Sequence, residues 1–286
     1  MSAALQPKEH HPMSAPAPTT AQRVTFARLV GAEWLKARSV RSTPWTIGAT
    51  VGVTVLFAAG ILQLVLLAPA ADVPDPAAVV TDNYGAVPTL GVLGLSFIFS
   101  YALVAVLGVL LVSPERSSGL LAATLAAAPR RTPVFVAKLL ASAALGVAVA
   151  VVVGLASALL AQPALAGLGL ASSPFAPDGL QVMTGGAVFL GLVAAMSTAI
   201  ASLFRGTAAA MGAVLGLLLL APALLPIIPG IGAHLAGVLP SGAGMMLFQS
   251  AAQVGWQPIV TGGLVLLGWT AGAAVLGGVL FKRRDV

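Results

Sequence analysis

The chain contains no cysteine. Disulfides, thiol catalysis and cysteine-ligated metal are therefore excluded. Charge is nearly as scarce. Asp, Glu, Lys and Arg make up 8% of the residues, against about 25% in an ordinary soluble domain. There are three histidines. His10 and His11 stand together in the N-terminal arm, and His234 falls in a segment expected on the opposite side of the membrane, so no dispersed metal site is expected of them. Hydrolase patterns are missing as well: there is no HExxH zinc motif and no GxSxG nucleophile elbow. No Walker A loop occurs, because none of Lys8, Lys36, Lys138 and Lys282 follows the required glycine spacing. The chain is expected to be no enzyme, to hold no cofactor or metal, and not to hydrolyse ATP alone.

What the chain does have is apolar length. It is 58% hydrophobic, an excess that a core in water cannot absorb but a bilayer can. Six runs reach the roughly 20 residues needed to span, near 45–67, 90–112, 137–160, 183–204, 208–228 and 259–281. The abundant glycine fits, since small residues let membrane helices approach closely. The first run is too long and too late for a secretory signal, so it reads as a retained span.

The basic residues give the plan its direction. Lys8, Arg23, Arg28, Lys36, Arg38 and Arg41 precede the first run. Arg116, Arg130, Arg131 and Lys138 lie between the second and third. Arg205 separates the fourth from the fifth, and Lys282, Arg283 and Arg284 follow the sixth. Asp72, Asp75, Asp82 and Asp178 occupy the alternate segments, without a basic residue. Basic loops stay cytoplasmic during insertion, so both termini are expected inside, in a multi-pass plasma-membrane protein. The net charge of +6 then reads as an orientation signal with attraction to membrane lipid, not as a nucleic-acid footprint.

Residues 1–21 are rich in Pro, Ala and Thr and are expected to be a disordered cytoplasmic arm; 22–286 form the membrane domain. In 22–42, Phe26, Leu29, Val30, Trp34 and Ala37 recur at helical spacing, flanked by Arg23, Lys36, Arg38 and Arg41. This predicts a basic amphipathic helix at the cytoplasmic interface, with a short cytoplasmic helix against other loops as the alternative. Residues 68–89 carry Pro69, Pro74 and Pro76 and read as an irregular loop. Residues 222–258 are apolar but broken by Pro222, Pro226, Pro229 and Pro240. Either they enter the membrane as short helices and turn back, covered by protein, or they lie on the outer surface.

No span carries a charge near its middle, which counts against an ion-coupled carrier. The polar groups within spans are Ser, Thr, Gln and Tyr, as at Thr54, Gln63, Ser96, Ser100, Tyr101 and Ser197, and they read as helix–helix hydrogen-bond partners. The second cytoplasmic loop, SPERSSGLLAATLAAAPRRTPVFVAK (113–138), is more telling. Ser117 and Ser118 can cap a short helix, Pro129 stops it, and Arg130 and Arg131 suit its C-terminal dipole. Such an apolar cytoplasmic helix either meets a partner or folds back on its own bundle.

Together with AEWLKARSVRST (32–43), this loop resembles the permease subunits of type-2 ATP-binding-cassette (ABC) transporters, in their Ala- and Gly-rich actinobacterial form. The likeness runs from about residue 22 to the end. It implies six spans, a cytoplasmic interfacial helix, short re-entrant helices before the last span, and a pore between two permease copies. It also implies a coupling helix that docks on a separate ABC ATPase subunit. Carried over, Glu115, Arg116, Gly119, Thr124 and Leu125 line or support that contact, with Arg130 and Arg131 beside it. The expectation is therefore an all-α polytopic permease subunit of an ABC exporter. A membrane binding, immunity or sensor subunit on the same scaffold is the alternative, with an ion-coupled carrier behind it.

Overall fold

The computed structural model describes residues 25–39, 42–67, 75–113 and 131–283. The arm 1–21 and most of the loop 113–138 lie outside them. Among the described residues the protein is all-α, and five helices are long and apolar enough to cross a membrane. This is the architecture of a polytopic membrane protein.

In chain order the helices are α1 (Phe26–Ser39), α2 (Ser42–Leu67), α3 (Pro76–Tyr84), α4 (Pro88–Leu110), α5 (Arg131–Gly167) and α6 (Pro177–Ala201). Then come α7 (Thr207–Ile227), α8 (Gly232–Val238), α9 (Pro240–Gly244), α10 (Ala251–Val254) and α11 (Trp256–Arg283). The five long apolar helices are α4, α5, α6, α7 and α11. In α2, a 26-residue helix, the apolar stretch Pro44–Ala58 is shorter.

Several boundaries differ from the sequence expectation for identifiable reasons. Residues 75–84 were expected in an irregular loop but form α3. The Asp75 carboxylate accepts from the Ala78 amide at 3.0 Å, and Pro76 occupies the first turn. A capping acid followed by proline is a helix start, not a break. Helix α6 likewise begins at Pro177, with Asp178 in its first turn, ahead of the expected residue 183. At 37 residues, α5 extends beyond both ends of the expected span. Its length of about 55 Å exceeds a hydrocarbon core of about 30 Å, so it projects from the apolar layer.

The long helices run up and down, so their ends form two layers. Described basic residues Arg28, Lys36, Arg131, Lys138 and Arg205 belong to one layer, called here the basic end. Asp75, Asp82 and Asp178 belong to the other.

Helices α4, α5 and α6 make the centre. Glycine is what lets them meet. A Cβ at Gly146 would fall 2.4 Å from the Leu190 carbonyl oxygen, and one at Gly108 would fall 2.6 Å from that of Ala194. Thr198 ties all three together: its hydroxyl lies 2.8 Å from the Gly108 carbonyl on α4 and 2.8 Å from the Ser142 hydroxyl on α5. At the far end a ring cluster fills the core. Phe248 lies 5.5 Å from Phe97 and 5.3 Å from Phe189, and Phe189 lies 5.9 Å from Tyr101. Helices α7 and α11 are far less covered than this centre.

Helix α7 is not uniform. Residues Gly216–Leu220 form a π-helical turn and Leu225–Ile227 a 3-10 turn. The Tyr101 hydroxyl donates to the Leu218 carbonyl within the π turn at 3.4 Å.

Candidate functional site

Two places concentrate features that a plain helical bundle does not need. The first is at the basic end, where α1 packs along α5. There Lys138 Nζ donates to Glu33 Oε2 at 2.8 Å, with side-chain exposures of 2% and 12%. Holding two charges out of water is costly unless they are paired in good geometry. Pairing at this distance offsets that cost and links α1 to α5 in addition to their packing. Close by, Phe135 of α5 packs on Phe281 of α11 at 5.4 Å. An added Cβ at Gly277 of α11 would fall 2.5 Å from Ser202 Oγ beyond α6. The starts and ends of α5, α6 and α11 are thus bound together at this layer.

The second place lies between α7 and α11. The chain leaves α7 and forms α8. It turns at Leu239, then returns through α9 and a 3-10 turn, Met245–Phe248. Trp269 Nε1 donates to the Val238 carbonyl at 3.0 Å. Trp269 is 13 residues into the 28-residue α11, so the turn reaches about 20 Å down that helix, near its midpoint. The returning arm is covered by protein on its inner side. The Leu247 carbonyl abuts Gly185 of α6, and Gly244 fits against the Phe189 ring. The Gln181 side chain then closes the break before α11: its Nε2 donates to the Gln249 carbonyl and its Oε1 accepts from the Ala251 amide, both at 3.1 Å. Gly255, at φ 77°, makes the final bend.

Beside this turn is an open cleft of about 610 Å³. Its walls are Leu203 beyond α6, Leu217 of the π turn, Val238 at the tip, and Val265, Trp269 and Leu276 of α11. The lining is apolar and offers no group for covalent chemistry. A smaller pocket of about 270 Å³ at the far end is more polar, with Asn83, Tyr84, Gln249 and Gln253 on its walls. Burial pushes the Tyr84 phenol above its ordinary pKa, and its hydroxyl donates to the Ala58 carbonyl at 3.3 Å. Among the described residues no three His, Asp or Glu side chains come together as a metal site.

The residues singled out in the sequence distribute as follows. Glu115, Arg116, Gly119, Thr124, Leu125 and Arg130 lie outside the described residues. Arg131 opens α5 and is half-buried. Phe26, Leu29, Trp34, Lys36 and Arg38 all belong to α1. Phe26 is exposed, and Leu29, Trp34 and Lys36 are half-buried. Of the polar residues in spans, Ser96, Ser100 and Ser197 donate to carbonyls of their own helices, so they are not the interhelical partners expected. Gln63 is exposed, and buried Thr54 makes no side-chain hydrogen bond. Tyr101 does reach across, to α7.

Glu33, Lys138, Gln181 and Trp269 were not singled out as site residues. Glu33 did carry a signal, as the only acid in a basic amphipathic stretch. Comparison with protein-family models and with curated proteins finds no match.

Proposed function

We propose that this chain is the membrane-spanning permease subunit of an ABC exporter, working with a separate ABC ATPase subunit and a second permease copy. On this reading α2 is the first of six spans, the basic end and both termini are cytoplasmic, and the protein sits in the plasma membrane. The 113–131 loop meets the ATPase. The observation that carries the reading is the proline-broken hairpin α8–α9, which descends to the middle of α11 before the last long helix. A broken hairpin at this point in the chain supports the reading, because the sequence resemblance implies short re-entrant helices there. The docked α1 helix adds the interfacial element.

Mechanically, ATP binding closes the ATPase pair and displaces the loop that leads into α5. The span bundles then shift between inward- and outward-open states. ATP must bind those states with different affinity for this to do work. The apolar walls provide a path for an amphipathic or apolar substrate and perform no covalent step.

The test is to isolate the full chain from its native membrane in lipid discs. An ATPase subunit with a Walker A loop should co-purify, and native mass measurement should show two permease copies. A chain that is monomeric and free of any ATPase would refute the reading.

A further inference from the structure

We infer that the Glu33–Lys138 ion pair is a strut that makes α1 move with the cytoplasmic start of α5, so that displacement of the 114–130 loop reaches α1 and, through it, α2. The inference rests on the permease reading and deepens it. Three observations converge.

The first is position. The loop hands over to α5 at Arg131, and Lys138 lies seven residues on, about 10 Å or two turns along a stiff helix. Motion imposed at Arg131 is therefore delivered to Lys138 with little loss. The second is burial. Lys138 is 2% exposed and Glu33 12% exposed, at 2.8 Å. Exposed pairs are soft and screened, whereas a close pair held largely out of water resists separation. The third is connectivity. Helix α1 ends at Ser39 and α2 begins at Ser42, so α1 is joined by the chain to α2 and by the ion pair to α5. Helices α2 and α5 also pack on each other directly. Helix α1 thus closes a triangle at the basic end, and the ion pair forms one corner of it.

A positioning role of this kind makes a distinct prediction about apolar replacement. A buried ion pair can be exchanged for well-packed apolar side chains with little loss, while a single replacement cannot. If the pair acts as a strut, Glu33→Leu combined with Lys138→Met keeps the strut, whereas Glu33→Gln or Lys138→Met alone removes it.

The experiment is hydrogen exchange on the disc-embedded complex with its ATPase, in the apo state and after trapping with ATP and vanadate. In the wild type, amides of α1 and of the first turns of α5 should change together on trapping. In Glu33→Gln, basal protection of α1 should fall about tenfold or more. The α5 start should still respond to trapping while α1 does not. The double apolar variant should regain both the protection and the joint response. The strut is overturned if Glu33→Gln keeps α1 protected, if α1 still follows α5 in that variant, or if the double variant stays uncoupled. A wild-type chain that binds no ATPase removes the permease reading and the coupling role with it. Protection of α1 in the single and double variants still decides whether the pair docks the helix.

Discussion

Replacing Gly185 by alanine tests whether the returning arm of the hairpin is wedged into the bundle. Gly185 lies eight residues into α6, about 12 Å from its start. A Cβ built there would sit 1.8 Å from the Leu247 carbonyl oxygen, and real contacts of this kind stay above 3.0 Å. The obstacle is backbone, so no side-chain rotation relieves it, and α6 and the 3-10 turn must part by more than about 1 Å. Overpacking of this sort costs about 1–3 kcal/mol. The displacement also pulls at the two Gln181 hydrogen bonds, worth about 0.5–1.5 kcal/mol each, and loosens the Phe248 ring from Phe97 and Phe189. Against this, alanine in place of a helical glycine restores about 0.4–1 kcal/mol through the unfolded chain. The net expectation is a loss of about 2–4 kcal/mol. Gly212→Ala is the control, because a Cβ there meets nothing within 4 Å; it should be neutral or slightly stabilising. Unfolding in lipid discs measures both, with amide exchange at Gln249–Ala251 as the local readout. Equal stability of the two variants, with unchanged exchange at the hairpin, would refute the wedge.

Thr198→Val should destabilise the bundle by about 1–2 kcal/mol, because it strips the link between Gly108 and Ser142; unfolding in discs measures this. Gln181→Leu should leave the bundle folded but speed exchange of the Ala251 amide about tenfold, with little effect at Thr198. Single cysteines at Ala78 and Ser173 should react with an impermeant thiol reagent in intact cells and one at Ser118 should not, and the reverse pattern would invert the proposed orientation.

The α8–α9 hairpin shows how far proline can be read. Pro222, Pro226, Pro229 and Pro240 ruled out one straight span, which the structure bears out. They did not say which surface the pieces cover. The glycines that receive them, Gly185 and Gly262, lie on other helices and carry no pattern that marks them as receptors. Asp75–Pro76 and Pro177–Asp178 were different. Both are local helix-start signals, legible in the sequence, and their neglect misplaced α3 and the start of α6.

The sequence alone determined the class of solvent, and its segregated charges set the expected direction of the chain. Apolar length and the segregation of basic from acidic residues are properties of each segment taken singly. They need no partner to be legible, so α4, α7 and α11 were placed within about three residues and α5 and α6 within about seven. The tertiary structure alone decided which faces meet. In lipid, the face of a helix that packs and the face that meets acyl chains are both apolar, so amphipathicity no longer reports rotation about the axis. Glu33 and Lys138 lie 105 positions apart, Tyr101 and Leu218 lie 117 apart, and Gln181 and Gln249 lie 68 apart. Each contact exists only because three-dimensional packing set the rotation of the helices involved.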